Sequence, residues 1–209
     1  MENISDFYQT NGKKVGRETS SSSVVSMPSK SGLNVDSRIT IDFSQINSFF
    51  EGHNIKKASL LYRASENNFS AKAFHKMCDN IPNTLVLIQT ETGEIIGGYS
   101  PLTWNSSSKH WSEDKSLKSF IFSLNMKEKF QLNLSQFAIA CNQEKGPIFG
   151  CCDICIVDAA NKEKSNAEFP ISYNNGKHIR GQKTYEAFSG HAKGQFITRE
   201  WEVFRLDFA

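Results

Sequence analysis

An excess of charge of either sign is what this sequence most plainly lacks: 24 Lys and Arg stand against 22 Asp and Glu, a formal net charge of +2. Nucleic-acid binders draw affinity from basic residues that neutralise phosphates, so nucleic acid is not an expected partner. No polybasic run marks an anionic membrane surface, and no stretch approaches the roughly 20 consecutive apolar residues of a membrane-spanning helix. Membrane insertion is therefore not expected. Met1-Glu2-Asn3-Ile4-Ser5-Asp6 has no positive flank, no apolar core and no Gly at position 2, so no secretory signal or myristoylation is expected. The expectation is a cytoplasmic protein, peripheral to organelle membranes or cytoskeleton only through a partner.

A disulfide framework is also missing. Of the five Cys, three crowd into Cys151-Cys152-Asp153-Ile154-Cys155, which is not the spacing of a secreted scaffold. Reduced thiols are expected, and sequons such as Asn68-Phe69-Ser70 and Asn105-Ser106-Ser107 then carry no weight. A structural zinc site needs four ligands, and no His or second Cys pair stands at a companion spacing, so no metal and no cofactor is assigned. A strand running through the cluster would turn Cys152 to one face and Cys151 and Cys155 to the other. The expected role is that of small buried hydrophobes. Oxidation under stress is the alternative that keeps Cys151, Cys152 and Cys155 as candidate redox thiols.

Catalytic constellations are scarce as well. His75, Cys78 and Asp79 offer base, nucleophile and orienter, but residues at such spacings are neighbours on any helix, and no oxyanion-hole element is recognisable nearby. His53, His110, His178 and His191 stand apart in polar segments, and the acidic residues do not pair as a general acid and base. Gly97-Gly98 lacks the Lys-Ser/Thr of a phosphate loop and reads as a close-packed strand covered by Trp104, Trp111 or Tyr99. No enzymatic activity is expected.

What the chain does have is bulk. It is 38% apolar and carries 16 Phe in 209 residues, enough to build a core without staples. Residues 1 to 37, rich in Ser, Gly, Asn and Lys, read as a flexible tail, and 38–209 as one domain. Ile41, Phe43, Ile46, Phe49 and Phe50 predict a short helix across Asp42 to Glu51, stopped at Gly52. Ser70 is placed to cap a second helix, with Phe69 and Phe74 as a hydrophobic staple and Phe74, Met77 and Cys78 on its buried face.

Strands are expected at Ala58 to Tyr62, Thr84 to Gln89, Glu94 to Ser100, Ser119 to Leu124, Gln136 to Cys141, Asp153 to Val157 and Arg199 to Leu206. Thr92-Gly93 forms a hairpin between two of them. The expected fold class is α+β and β-rich, a sandwich of two antiparallel sheets flanked by a few short helices. Trp104, Trp111 and Tyr173, aromatics in polar surroundings, are the candidate interface residues.

Leu60-Leu61-Tyr62-Arg63-Ala64-Ser65, Phe69-Ser70-Ala71, Phe74-His75-x-x-Cys78-Asp79-Asn80 and Thr84-Leu85, continued by Gly93, Ile96-Gly97-Gly98-Tyr99 and Trp104, are ordered blocks that resemble the opening signature of the TLDc domain family. Phe120-Ile121-Phe122-Ser123-Leu124, Phe149-Gly150 with Asp153-Ile154, and Glu200-Trp201-Glu202-Val203-Phe204 resemble later blocks. The chain departs from the family at Cys151-Cys152, where small Gly or a Gly-His pair is usual. The resemblance implies a β-sandwich without established catalytic residues, linked to oxidative-stress protection and to binding of the vacuolar-type proton ATPase. A structural subunit of a larger cytoskeletal or ciliary assembly is the alternative.

Overall fold

Alternation along the central strands gives one sheet two apolar faces. In β2 (Thr84–Thr90), Val86 and Ile88 enter one core while Leu85 and Leu87 enter another, the period of two that a pleated strand imposes. The computed structural model describes residues 33–107 and 110–209. Within them, β2 lies near the middle of a seven-stranded sheet. Its order is β1 (Ile55–Arg63), β13 (Thr198–Phe208), β2, β3 (Ile95–Ser100), β5 (Phe120–Ser123), β6 (Glu128–Leu132) and β11 (Tyr173–Asn174).

A six-stranded sheet runs β12 (Gln195–Phe196), β10 (Ser165–Asn166), β9 (Ile154–Val157), β8 (Lys145–Phe149), β7 (Ile139–Ala140) and β4 (Trp111–Ser112). Neighbouring strands in both sheets are antiparallel. The inner core lies between the sheets. Val86, Ile88, Ile121 and Val203 of one sheet share it with Phe149, Ile154 and Ile156 of the other. Tyr62 and Trp201 stack with centroids 4.4 Å apart, and Trp104 meets Phe74 and Phe149, each at 5.6 Å.

The second core covers the other face of the seven-stranded sheet, where α1 (Phe43–Ser48) lays Phe43 and Ile46 against Leu85, Leu87, Phe122 and Phe204. Asp42 caps α1 by accepting from the Ser44 N–H at 2.9 Å, satisfying a donor the helix cannot. The β-rich sandwich is thus as expected, with a helix layer added outside.

α2 (Ala71–Cys78) begins as the capping signal indicates, with Ser70 Oγ accepting from Ala73 N. Its buried face needs a correction: Met77 is 40% exposed, and His75 joins Phe74 and Cys78 inside. The hairpin between β2 and β3 turns at Gly93, with φ of +102°. Gly97 and Gly98 are close-packed, but under different aromatics from those expected. A Cβ on Gly97 would stand 2.1 Å from the Val86 carbonyl oxygen and 2.6 Å from the Phe122 ring, and one on Gly98 2.7 Å from the Phe149 ring.

The strand expected over Gln136 to Cys141 is a 3-10 turn, Ser135–Phe137, followed by the two-residue β7. Of the expected tail, residues 1 to 32 lie outside the described residues. Leu33 and Val35 pack against the outer core, while Asp36 and Ser37 are bonded to Arg63 and Glu202.

Candidate functional site

Cys151 and Cys152 sit on a turn, and of the cluster Cys155 alone lies on a strand, β9. β8 ends at Phe149, Gly150 has φ of +63° and Cys152 of +70°, and β9 begins only at Ile154. The expected alternation therefore never reaches Cys151 and Cys152. Cys152 stands in the left-handed region, and its thiol neighbours that of Cys155, each being the largest influence on the other's acidity. Separation of Cys152 from Cys155 on opposite faces is thus corrected. Lys145 Nζ lies 3.7 Å from Cys155 Sγ.

The turn is bonded to residues 168–173 along its length. Cys151 N donates to Ser172 Oγ at 3.0 Å, and Cys152 O accepts from Glu168 N, also at 3.0 Å. Asp153, fully buried, accepts from the N–H groups of Ile171, Ser172 and Tyr173 at 2.5, 2.8 and 3.3 Å. Interaction with Cys155 lowers the Cys152 thiol below its ordinary value, aided by Lys145 and opposed by burial. The Cys155 thiol is pushed up by Cys152 and by burial.

His75 holds three segments together. Its Nδ1 faces Asp79 Oδ1 at 2.7 Å, and its Nε2 lies 2.9 Å and 3.0 Å from the carbonyl oxygens of Asn142 and Lys145. Carbonyls only accept, so Nε2 carries a hydrogen and is not a base for a neighbouring nucleophile. Cys78 is completely buried, which pushes its thiol up.

Burial would raise the Asp79 carboxyl, but bonds from Ser106 and His75 outweigh it and hold the group below its ordinary value. Asp114 is likewise held below its ordinary value, because bonds from Ser116 and Ser119 overcome its burial. A depressed folded pKa contributes stability above the unfolded value near 4, and that contribution is lost as pH falls through the folded value. The denaturant midpoint is therefore expected to hold from pH 7 to about 5 and to fall below about pH 4; a midpoint unchanged at pH 3 would contradict this.

A buried ion network closes the N-terminal side. Glu202, fully buried, accepts from Arg63 Nε at 2.7 Å, Ser37 Oγ at 2.5 Å and Arg38 N at 2.9 Å. Arg63 also reaches Asp36 Oδ1 at 3.0 Å and Glu66 Oε1 at 3.1 Å. Sequence reasoning assigned none of these partners. Arg63 and Glu202 are 139 positions apart, and the one available signal was Glu200 and Glu202 alternating with apolar residues in a strand.

The interface expectation needs correcting for two of its three residues. Trp104 is fully buried and its Nε1 donates to Thr84 Oγ1 at 3.0 Å. Tyr173 is fully buried and donates to the Ala138 carbonyl at 2.6 Å. Both are core residues that satisfy a polar tip internally. Trp111 is the exposed one, at 50%. It lies on β4, an edge of the six-stranded sheet, with its ring 5.5 Å from that of Phe137 and its Nε1 donating to the Gly150 carbonyl at 3.3 Å. The exposed aromatic thus abuts the thiol turn.

A cavity of about 530 Å³ opens elsewhere, lined by Phe50, Tyr99, Phe120, Phe208 and Lys129 among others. Its walls come from distant segments, which kept it out of the sequence reading. Among the described residues, no helix is long and apolar enough to cross a membrane.

In comparison with protein families, the model of the TLDc domain matches residues 38–207, nearly all of the described chain. A search of curated proteins gave no match.

Proposed function

This chain belongs to the TLDc domain family, and on that premise we propose that it is a non-catalytic protein-binding module whose partner is the vacuolar-type proton ATPase, with a role in protection from oxidative stress. The unbroken family match over residues 38–207 carries the reading. The engagement of His75 with two carbonyls supports the non-catalytic part, because the one base beside a thiol on α2 is committed to holding the fold.

Trp111 is the residue assigned to the contact. Indole anchors at interface centres commonly contribute 2 kcal/mol or more, and this one is half exposed on an edge strand. The tagged chain, incubated with native lysate under conditions that keep the pump assembled, is expected to capture pump subunits. Trp111→Ala is expected to reduce capture about 30-fold while shifting folding stability by no more than about 1 kcal/mol. Capture of cytoskeletal or ciliary subunits without pump subunits would replace this reading with that of a structural subunit.

A further inference from the structure

We propose that Cys152 and Cys155 form a peroxide-oxidisable dithiol, with Cys152 as the attacking thiolate, Cys155 as the resolving thiol and Lys145 as the cation that steadies Cys155 as it loses its proton. This goes beyond the binding function and does not depend on it.

The geometry is asymmetric in the way such a pair requires. Cys155 is fully buried, whereas Cys152 is partly open to solvent, so peroxide reaches Cys152 and not its partner. The Cys152 and Cys155 thiols are neighbours that dominate each other's acidity, with Lys145 Nζ 3.7 Å from Cys155 Sγ. A disulfide would join the two sulfurs at about 2 Å. The turn is held by Ser172 on Cys151, Glu168 on Cys152 and the three N–H groups on Asp153, so little further ordering is needed to align the sulfurs.

Interactions with Cys155 and the Lys145 ammonium lower the Cys152 thiol below its ordinary value against the opposing effect of burial, which raises its thiolate fraction at neutral pH above the few per cent of a thiol near 8.5. Because the rate follows the thiolate fraction more steeply than nucleophilicity falls with acidity, it should react faster than free cysteine at pH 7. Cys78 and Cys141 are buried and burial pushes both thiols up, so they are not competitors.

In the first step the Cys152 thiolate attacks one oxygen of hydrogen peroxide. The O–O bond breaks, Cys152 becomes a sulfenic acid, and the departing hydroxide takes up a proton to become water. In the second, Cys155 gives up its proton and its sulfur attacks the Cys152 sulfur, expelling the sulfenic oxygen as a second water. Two thiols lose two electrons and two protons, and one peroxide becomes two waters. The Lys145 ammonium, 3.7 Å from Cys155 Sγ, faces the sulfur on which negative charge develops.

The test uses the full reduced chain, treated with equimolar peroxide, alkylated and read by fragment-ion mass spectrometry. Wild type is expected to lose two alkylatable thiols and two hydrogens in mass, with the link between Cys152 and Cys155. Cys155→Ser is expected to stop at a sulfenic acid on Cys152, trapped by dimedone. Lys145→Met is expected to slow disulfide closure at least threefold without slowing loss of the Cys152 thiol to the same degree. A link between Cys151 and Cys152, oxidation of Cys78 at an equal rate, or no loss of thiols would overturn the proposal. The initial alkylation rate of Cys152 in unaltered protein is a second check: a rate below that of free cysteine would also overturn it.

Discussion

Glu202→Ala is expected to lower the stability of this domain by about 3 kcal/mol, because removing one member of a buried ion pair strands the other. Glu202 is fully buried and takes bonds from the Arg63 side chain, the Ser37 hydroxyl and the Arg38 amide. All three lose their acceptor together. The figure sits at the low end of the range for such pairs because Asp36 and Glu66 still face the Arg63 guanidinium.

The same reasoning separates this pair from the surface ones. Arg38 and Glu66 meet at 2.7 Å but are about half exposed, and exposed pairs of this kind contribute between 0 and about 1 kcal/mol. Arg38→Ala should therefore cost no more than about 1 kcal/mol. Urea midpoints of the two variants check the contrast. Equal, small shifts would mean that the buried network adds nothing to the hold of residues 36–38 on the domain.

Asp153→Ala is the second large effect expected, also at about 3 kcal/mol. The carboxylate serves three backbone N–H groups in succession, and each buried donor left without an acceptor costs about 1–3 kcal/mol before water or relaxation compensates. Gly150→Ala should converge on the same outcome by another route. Its φ of +63° is unfavourable for Ala, and the new Cβ would stand 2.0 Å from Asp153 Oδ2, driving the carboxylate off its donors.

Hydrogen exchange locates the effect. In both variants the amides of Ile171, Ser172 and Tyr173 are expected to lose protection first, ahead of those in β2. Uniform loss across the domain would show that Asp153 acts on global stability without being the particular anchor of that segment.

Much of the fold was legible because its central strands obey simple rules. β2, β3 and β13 alternate or run apolar across both cores, and Ser70 and Gly93 do the local chemistry their positions announce. β8 was missed because Gly146 and Pro147 interrupt the strand pattern, although both of its faces are covered. α3 (Gln182–Ser189) was missed because Gly181 offers no capping side chain; its buried Phe188 stacks on Phe169 at 4.8 Å.

The candidate site was less legible, for reasons of distance and backbone. Trp104 and Tyr173 have polar sequence neighbours but apolar spatial ones, and only the folded chain reveals the difference. The thiols are visible in the sequence as residues. Their pairing depended on a left-handed Cys152, a conformation that no spacing rule for strands anticipates. Trp111 was placed among the interface candidates for the same reason as the other two, and its position on an edge strand is what sets it apart.

The most direct measurement for the central claim is a titration of the purified chain against purified, assembled vacuolar-type ATPase, followed by co-sedimentation and by the rate of proton pumping in vesicles. Saturable binding with a matching, dose-dependent change in pumping rate is the expected result, and Trp111→Ala should shift both curves together. No binding up to about 100 µM, weaker than about 5.5 kcal/mol, with pumping unchanged, would contradict the account.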